Sequence, residues 1–253
     1  MSPALYPYRT ITSHHVTVAI DLLRATTAVS AAFQAGCSSV VPLDTLEGLQ
    51  PYREQGYLLA AERGGKKVGD AEYGNSPTEY LRHNMSGIKL AYSTTNGTVT
   101  MLRGADADLT LAGSFANLTA LCDRLQKEDM DVVLLCSGWQ QDFCIEDTLV
   151  AGAIIEKLST LTPSTPLHFG KESKLSLRST SGALNSQVSI HGDAATMALA
   201  MWQLAKDDPY EYCQRCTHVH RLYGLGATED VHFAFRQDTC PVVPVLKNGL
   251  LTK

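Results

Sequence analysis

Asp21 with Arg24, Glu62 with Arg63, and Glu146 with Asp147 bring charged side chains together at three separated points of the chain. A guanidinium presents a planar fork matched to phosphate or carboxylate, whereas a carboxylate serves as base, nucleophile or ligand of a hard cation such as Mg²⁺. Hydroxyl-rich segments lie beside them: Thr26 and Thr27, and the run Ser93-Thr94-Thr95-Asn96-Gly97-Thr98. A glycine among hydroxyls and an amide lets the backbone approach an oxyanion closely. Each segment also has an ordinary structural use. Thr26 and Thr27 suit a helix N-cap beside a solvated Arg24, and residues 94–98 suit a capped Asn-Gly turn. Glu62 and Arg63 suit a surface ion pair, and Glu146 and Asp147 suit the first turn of a helix, where acids offset the dipole.

Which use applies depends on the elements that carry these residues. Residues 16–20, 39–42, 57–61, 88–92, 109–112 and 132–136 read as short strands. Between and after them, residues 28–35, 43–55, a short run from Thr98, 116–127 and 146–158 read as helices, the first closed by Gly36. The stretch 64–77 holds too many breakers for regular structure. Strands alternating with helices predict a layered α/β/α fold with a parallel or mixed central sheet. In such sheets ligands bind beyond the carboxyl ends of the strands, where helix N-termini offer free N–H groups. The polar segments follow the first, third and fourth strands, Ser114 and Asn117 follow the fifth, and Ser137 and Gly138 follow the sixth. Five loops therefore converge on one rim.

Two prolines between residues 160 and 166 mark a boundary or long turn. Residues 1–160 form the α/β core carrying most motifs, and residues 161–253 form a C-terminal part, either a second subdomain or a continuation of the sheet. Within it, residues 194–206 and 210–223 read as helices. Residues 230–235 alternate like a half-buried strand before a tail punctuated by Pro241 and Pro244.

With 253 residues, 44% hydrophobic and 19% charged, the chain has the composition of a folded globular protein. Its 21 basic against 26 acidic side chains, a net charge of −5, oppose binding of nucleic acid or anionic membrane. No uncharged apolar stretch approaches the ~18 residues a membrane span needs. Seven scattered cysteines, an odd number, predict free thiols and a cytoplasmic setting. Phosphate-loop, dinucleotide, Gly-x-Ser-x-Gly and His-Glu-x-x-His motifs are absent. Cys213, Cys216, His218 and His220 superficially suggest zinc, but on a continuous helix only Cys213, Cys216 and His220 share a face. Cys136 reads as a buried structural thiol, and His14 and His15 precede the first strand, away from the rim. A homodimer is the base-rate expectation for such a chain.

Seven motifs stand in a definite order: Asp21-Leu22-Leu23-Arg24-Ala25-Thr26-Thr27, Glu62-Arg63-Gly64-Gly65, Gly74-Asn75-Ser76-Pro77, Thr94-Thr95-Asn96-Gly97-Thr98, Ser114-Phe115-x-Asn117, Cys136-Ser137-Gly138, and Glu146-Asp147-Thr148-Leu149-x-Ala151-Gly152. Together they resemble the Mg²⁺-dependent 2-phosphosulfolactate phosphatases, often called the ComB family. The resemblance runs from about residue 18 to 152. Residues 230–235, Asp238 and Pro244 resemble the family's closing strand, and residues 159–228 match poorly. Ala61 stands where Gly is common and Glu72 where Asp is more usual.

The resemblance implies Mg²⁺-dependent hydrolysis of the phosphate ester of a small 2-hydroxy acid, 2-phosphosulfolactate giving 3-sulfolactate and phosphate, a step of coenzyme M biosynthesis. It implies catalytic roles for Asp21, Arg24 and Arg63, with Asp21 on the attacking side as nucleophile, base or metal ligand. Thr26, Thr27, Asn75, Ser76, Thr94, Thr95, Asn96, Gly97 and Thr98 would bind substrate, and Mg²⁺ would be held by Glu62, Glu146 or Asp147. The competing expectation is a non-catalytic sensor of a phosphorylated or sulfonated metabolite. Carboxylates among the arginines oppose it, because an anion trap gains nothing from them unless a cation joins.

Overall fold

A strand buried along its whole length needs cover on both faces, and His15–Ile20 is such a strand. Val16, Val18 and Ile20 enter one apolar core, while Ala19 between them enters a second. The computed structural model describes residues 1–2, 4–8, 14–128, 130–140, 142–161, 168–170, 175–179 and 186–253. Its strands are β1 (His15–Ile20), β2 (Ser39–Leu43), β3 (Leu58–Arg63), β4 (Lys66–Lys67), β5 (Lys89–Ser93), β6 (Leu109–Gly113), β7 (Asp131–Cys136), β8 (His168–Gly170), β9 (Leu175–Ser179), β10 (Ser186–His191), β11 (Val245–Lys247) and β12 (Leu250–Thr252). They form one sheet in the order β4-β3-β5-β2-β12-β11-β6-β1-β7-β9-β10-β8.

Two parallel blocks make the centre of this sheet. β3, β5 and β2 run parallel, as do β6, β1 and β7. The antiparallel hairpin of β11 and β12 joins them, β12 pairing with β2 and β11 with β6. The proline-punctuated tail thus leads into the middle of the sheet. Asn117 Nδ2 holds it there, donating to Ala112 O at 3.0 Å and Val242 O at 2.9 Å. Strands from residues 161–253 also pair beyond β7, where β9 runs antiparallel to it. The arrangement is the layered α/β/α fold with a mixed central sheet that the alternation predicts.

One core packs β1 and β6 against helices Leu118–Leu125, Ile145–Leu161 and Asp193–Ala205, with Phe115 and Trp202 in tilted contact at 5.6 Å between ring centroids. The other packs β2, β3 and β5 against helix Ala25–Gln34, whose small alanines allow close approach and whose Phe33 fills the gap. Glu72 anchors the edge: it accepts from Arg53 Nη1 at 2.6 Å and from Leu59 N at 2.8 Å. Burial by itself would raise the Glu72 carboxyl, but these donors outweigh it and hold the group below its ordinary range.

Three expectations need correction. Residues 230–235 belong to helix Thr228–Ala234 and its end, with Asp230, Val231 and Ala234 on the buried face. Over six residues an alternating run and a helical stripe look alike, and the acids Glu229 and Asp230 in the first turn favour the helix. The helix expected over 43–55 is only a 3₁₀ turn at Glu47–Leu49 running into one turn at Gln50–Arg53, because Leu43 still belongs to β2, Gly48 weakens the first turn, and Pro51 fits only the start of the second. The helix expected over 210–223 is broken into Pro209–Tyr212, a 3₁₀ turn Cys213–Arg215, and Thr217–Gly224, with Cys216 extended between the last two. The boundary expected at 160–166 begins inside helix Ile145–Leu161, and its residues 162–166 lie outside the described residues.

Candidate active site

Asp21 leaves β1 at its carboxyl end, where the chain must turn into helix Ala25–Gln34. Thr26 Oγ1 lies 2.9 Å from Asp21 O and 2.8 Å from Gly113 O, and accepts from Asp21 N at 3.0 Å. Thr27 Oγ1 donates to Leu22 O at 2.9 Å. Both buried threonine hydroxyls are therefore spent on pinning the loop, whose Leu23–Arg24 peptide is cis. The Asp21 side chain is held from two sides, Oδ1 accepting from Ala25 N at 3.2 Å and Oδ2 from Ser137 Oγ at 3.3 Å. Gly97 lets it fit: a Cβ there would lie 2.2 Å from Ala25 Cβ and 2.5 Å from Asp21 Oδ2.

Burial pushes the Asp21 carboxyl up to about 6, the Glu62 charge adds to the rise, and Ala25 N–H, His218 and Ser137 offset part of it. Asp147 is raised well above the usual carboxylate range, first by burial and then by the charges of Asp21 and Glu146. Its two oxygens accept from Leu22 N and Gly138 N, each at 2.9 Å, so it locks the loop after β1 to the loop after β7. Glu146, in the first turn of the same helix, lies 2.8 Å through Oε1 from His218 Nδ1.

Glu62 is the penultimate residue of β3 and is buried. Gly65 N donates to Glu62 Oε1, Thr95 N donates to Oε2 at 3.2 Å, and Thr95 Oγ1 lies 3.3 Å from both oxygens. Arg24 is buried and committed, donating to Asp230 Oδ2 at 2.7 Å and to Gly65 O at 2.7 Å. Asp230 also accepts at Oδ1 from Ser76 Oγ and Thr78 Oγ1, each at 2.6 Å. Ser76 caps helix Pro77–Arg82, and Thr94 and Thr98 cap each other by reciprocal bonds at 3.1 Å. Tyr92 OH donates to Asn75 Oδ1, which turns the amide NH₂ of Asn75 toward other partners.

A cleft of about 80 Å³ gathers Asp21, Arg24, Glu62, Asn75, Thr95 and Asn96 from the rim loops. Trp139, His218 and Arg221 also line it. Arg63, Thr26, Thr27, Ser76, Thr94, Gly97, Thr98, Glu146 and Asp147 do not line it. Arg63 instead donates to Glu62 O at 2.6 Å and to Ser93 Oγ at 2.9 Å. Cys136 also stands apart, its thiol pushed up to about 11 by burial. A larger hollow of about 420 Å³ beside β7 is mainly apolar and contains none of the predicted site residues.

His218, Trp139, Arg221 and Asp230 are the contributors that sequence reasoning passed over. On one unbroken helix His218 faces away from Cys213, Cys216 and His220. The extended Cys216 turns the next helix so that His218 meets Glu146 and stacks on Trp139, ring centroids 5.7 Å apart and planes 9° apart. The signal that could have found it was the polar pair His218 and His220 flanking a buried Val219. Among the described residues, the group whose metal-ligating atoms all lie within 4.8 Å of one another is Cys144, Glu146 and His218, and not the cysteine pair with His220. Burial and the charges of Glu146 and Asp147 push the Cys144 thiol up, away from the thiolate form a metal needs. No helix among the described residues is long and apolar enough to cross a membrane.

The family model described as 2-phosphosulpholactate phosphatase matches residues 2–249. The chain is 32% identical over 233 residues, 92% of its own length and 89% of its relative's, to a protein of Thermotoga petrophila named probable 2-phosphosulfolactate phosphatase. Proteins with the same printed name from Caldanaerobacter subterraneus and a Synechococcus species are 29% identical over 238 residues and 33% identical over 226. These cover 92% and 87% of this chain, and 88% and 83% of the relatives. Matched by the family model over nearly the whole chain and by these relatives over most of their length, the chain belongs to the 2-phosphosulpholactate phosphatase family, a family of phosphoric monoester hydrolases.

Proposed function

We propose that this chain hydrolyses the phosphate ester of a small 2-hydroxy acid in a Mg²⁺-dependent reaction, 2-phosphosulfolactate giving 3-sulfolactate and inorganic phosphate. The observation that carries the reading is that Asp21, Glu62 and the Glu146-backed His218 meet at one cleft although they come from three distant parts of the chain. A water oxygen attacks phosphorus, Asp21 Oδ2 accepts the water's proton, and the ester P–O bond breaks. His218 Nε2 gives a proton to the departing alkoxide, its ring oriented by the bond from Nδ1 to Glu146. Asn75, Thr95 and Asn96 supply amide and hydroxyl groups to the phosphoryl oxygens.

The donor set suits a hard cation. Asp21, Glu62 and Thr95 put oxygen atoms at the cleft, and burial, with the Glu62 charge adding to it, raises the Asp21 carboxyl, a cost that a cation relieves. Glu62 would hold Mg²⁺, since it lines the cleft, whereas Glu146 and Asp147 stand behind it. When bound, the ion neutralises and orients phosphoryl oxygens. We also infer a cytoplasmic setting, supported by seven cysteines that are all free.

The test is phosphate release from 2-phosphosulfolactate with Mg²⁺ and with EDTA. Release with Mg²⁺ and its loss in EDTA are expected. Saturable binding without release would instead make the cleft a sensor, and release indifferent to EDTA would remove the metal.

A further inference from the structure

Three arginines stand at or near this cleft, and they differ in what they are bonded to. Arg24 is buried against Asp230 and the Gly65 carbonyl, so its charge is already matched. Arg63 points to backbone carbonyls and Ser93, outside the lining. Arg221 lines the cleft, is half-buried, and has no carboxylate partner among the described residues. Its guanidinium carbon lies 5.4 Å from the centroid of the Trp139 ring. Its head also sits against the Gly65 backbone, where a Cβ would come within 3.3 Å of both Nη atoms. Gly65 has φ +82, a conformation glycine adopts without cost, so the lip stays open to the arginine.

Arg221 makes no ion pair with Asp21 or Glu62 although both line the same cleft, so among the described residues no carboxylate takes up its N–H groups. The aromatic face fixes the plane of the fork and leaves its N–H edge for two oxygens of one group. Resting on the phosphatase reading above, we propose that Arg221 is the seat of the substrate's second acid group, a carboxylate or sulfonate oxyanion, and selects phosphate esters that carry one. The acid end of such an ester would otherwise meet only the repulsion of Asp21 and Glu62. Trp139 acts with Arg221 as its positioning residue.

Four esters test this in wild type, Arg221→Gln and Arg221→Lys: 2-phosphosulfolactate, phosphoglycolate with a carboxylate only, 2-phosphooxyethanesulfonate with a sulfonate only, and p-nitrophenyl phosphate with neither. In Arg221→Gln the ratio of kcat/KM for acid-bearing esters to that for p-nitrophenyl phosphate should fall about 10- to 100-fold, mainly through KM. Arg221→Lys, which keeps the charge without the fork, should fall between. The carboxylate-only and sulfonate-only arms identify which oxyanion sits there. An unchanged ratio overturns the proposal. Calorimetric binding of 3-sulfolactate, which carries no phosphate, gives a readout independent of turnover. Binding weakened at least tenfold in Arg221→Gln supports the seat even if no ester is hydrolysed, a result that would sink the phosphatase reading alone. Equal binding by both proteins overturns it.

Discussion

His218 Nδ1 lies 2.8 Å from Glu146 Oε1, joining two side chains 72 residues apart. The bond ties helix Thr217–Gly224 to the first turn of helix Ile145–Leu161 and presents the imidazole to the cleft that holds Asp21. A carboxylate behind an imidazole fixes which ring nitrogen faces the reacting group.

If His218 protonates the departing alkoxide, its removal matters only when the leaving group needs a proton. His218→Asn should lower kcat about 10²-fold or more on a 2-hydroxy acid ester and far less on p-nitrophenyl phosphate, whose leaving group is stable as the anion. Glu146→Gln should show the same pattern more weakly. Steady-state kinetics on both esters decides it, and equal losses would refute the proton-donor role.

Asp21 links activity to stability with opposite signs. Its folded carboxyl titrates at about 6 against an ordinary 3.8, so the folded state keeps the proton longer. The stability this group contributes is complete below about pH 4 and is lost as pH rises through about 6. Asp21→Asn should therefore gain in Tm relative to wild type between pH 4 and 7 in chelator, while kcat falls by roughly 10²–10⁴. A Tm difference that is constant with pH, or near-normal turnover, would remove Asp21 from this role.

The Arg24–Asp230 pair spans 206 residues and is buried on both sides. Asp230→Ala leaves a buried guanidinium uncompensated and strips acceptors from Ser76 and Thr78, which should cost about 3–5 kcal/mol. A double-mutant cycle with Arg24→Met and Asp230→Asn, followed by urea unfolding, should give a coupling of roughly 1–3 kcal/mol. Additive effects would mean the two side chains do not support each other.

Gly97→Ala tests how tightly Asp21 is seated. The new methyl would lie 2.2 Å from Ala25 Cβ and 2.5 Å from Asp21 Oδ2, so backbone or carboxylate must move. A stability loss of about 1–3 kcal/mol is expected, with a fall in kcat that exceeds any rise in KM. Unaltered kcat would show that the carboxylate tolerates displacement.

Much of the scaffold is legible in sequence because its signals are local. The β-branched run around Val18, the alanines after Thr27 and the closing Gly36 specify a strand, a helix and its end within about twenty residues. Repetition of that unit places polar segments at successive strand ends. Short or ambiguous segments escaped: the six residues from Asp230 alternate as a strand does yet fold as a helix, and the extended Cys216 interrupts what periodicity reads as one helix. The hairpin of β11 and β12 carries a local mark, the two-residue turn Asn248-Gly249 with φ +52 and +77, but its place between β2 and β6 has none, since those partners lie far away in the chain.

By itself the sequence determined the alternation of strand and helix, the rim on which Asp21, Glu62 and residues 94–98 stand, and the family these motifs resemble. Only the tertiary structure decided which groups line the cleft and what each of them is bonded to. Arg24 is neutralised by Asp230, Asp147 is bonded at both oxygens, Arg63 is turned aside, and His218 and Arg221 enter from a segment whose motif match is poor. The reason is physical: periodicity depends on neighbours a few residues away, whereas the partner of a buried charge is whichever group folding brings within about 3 Å.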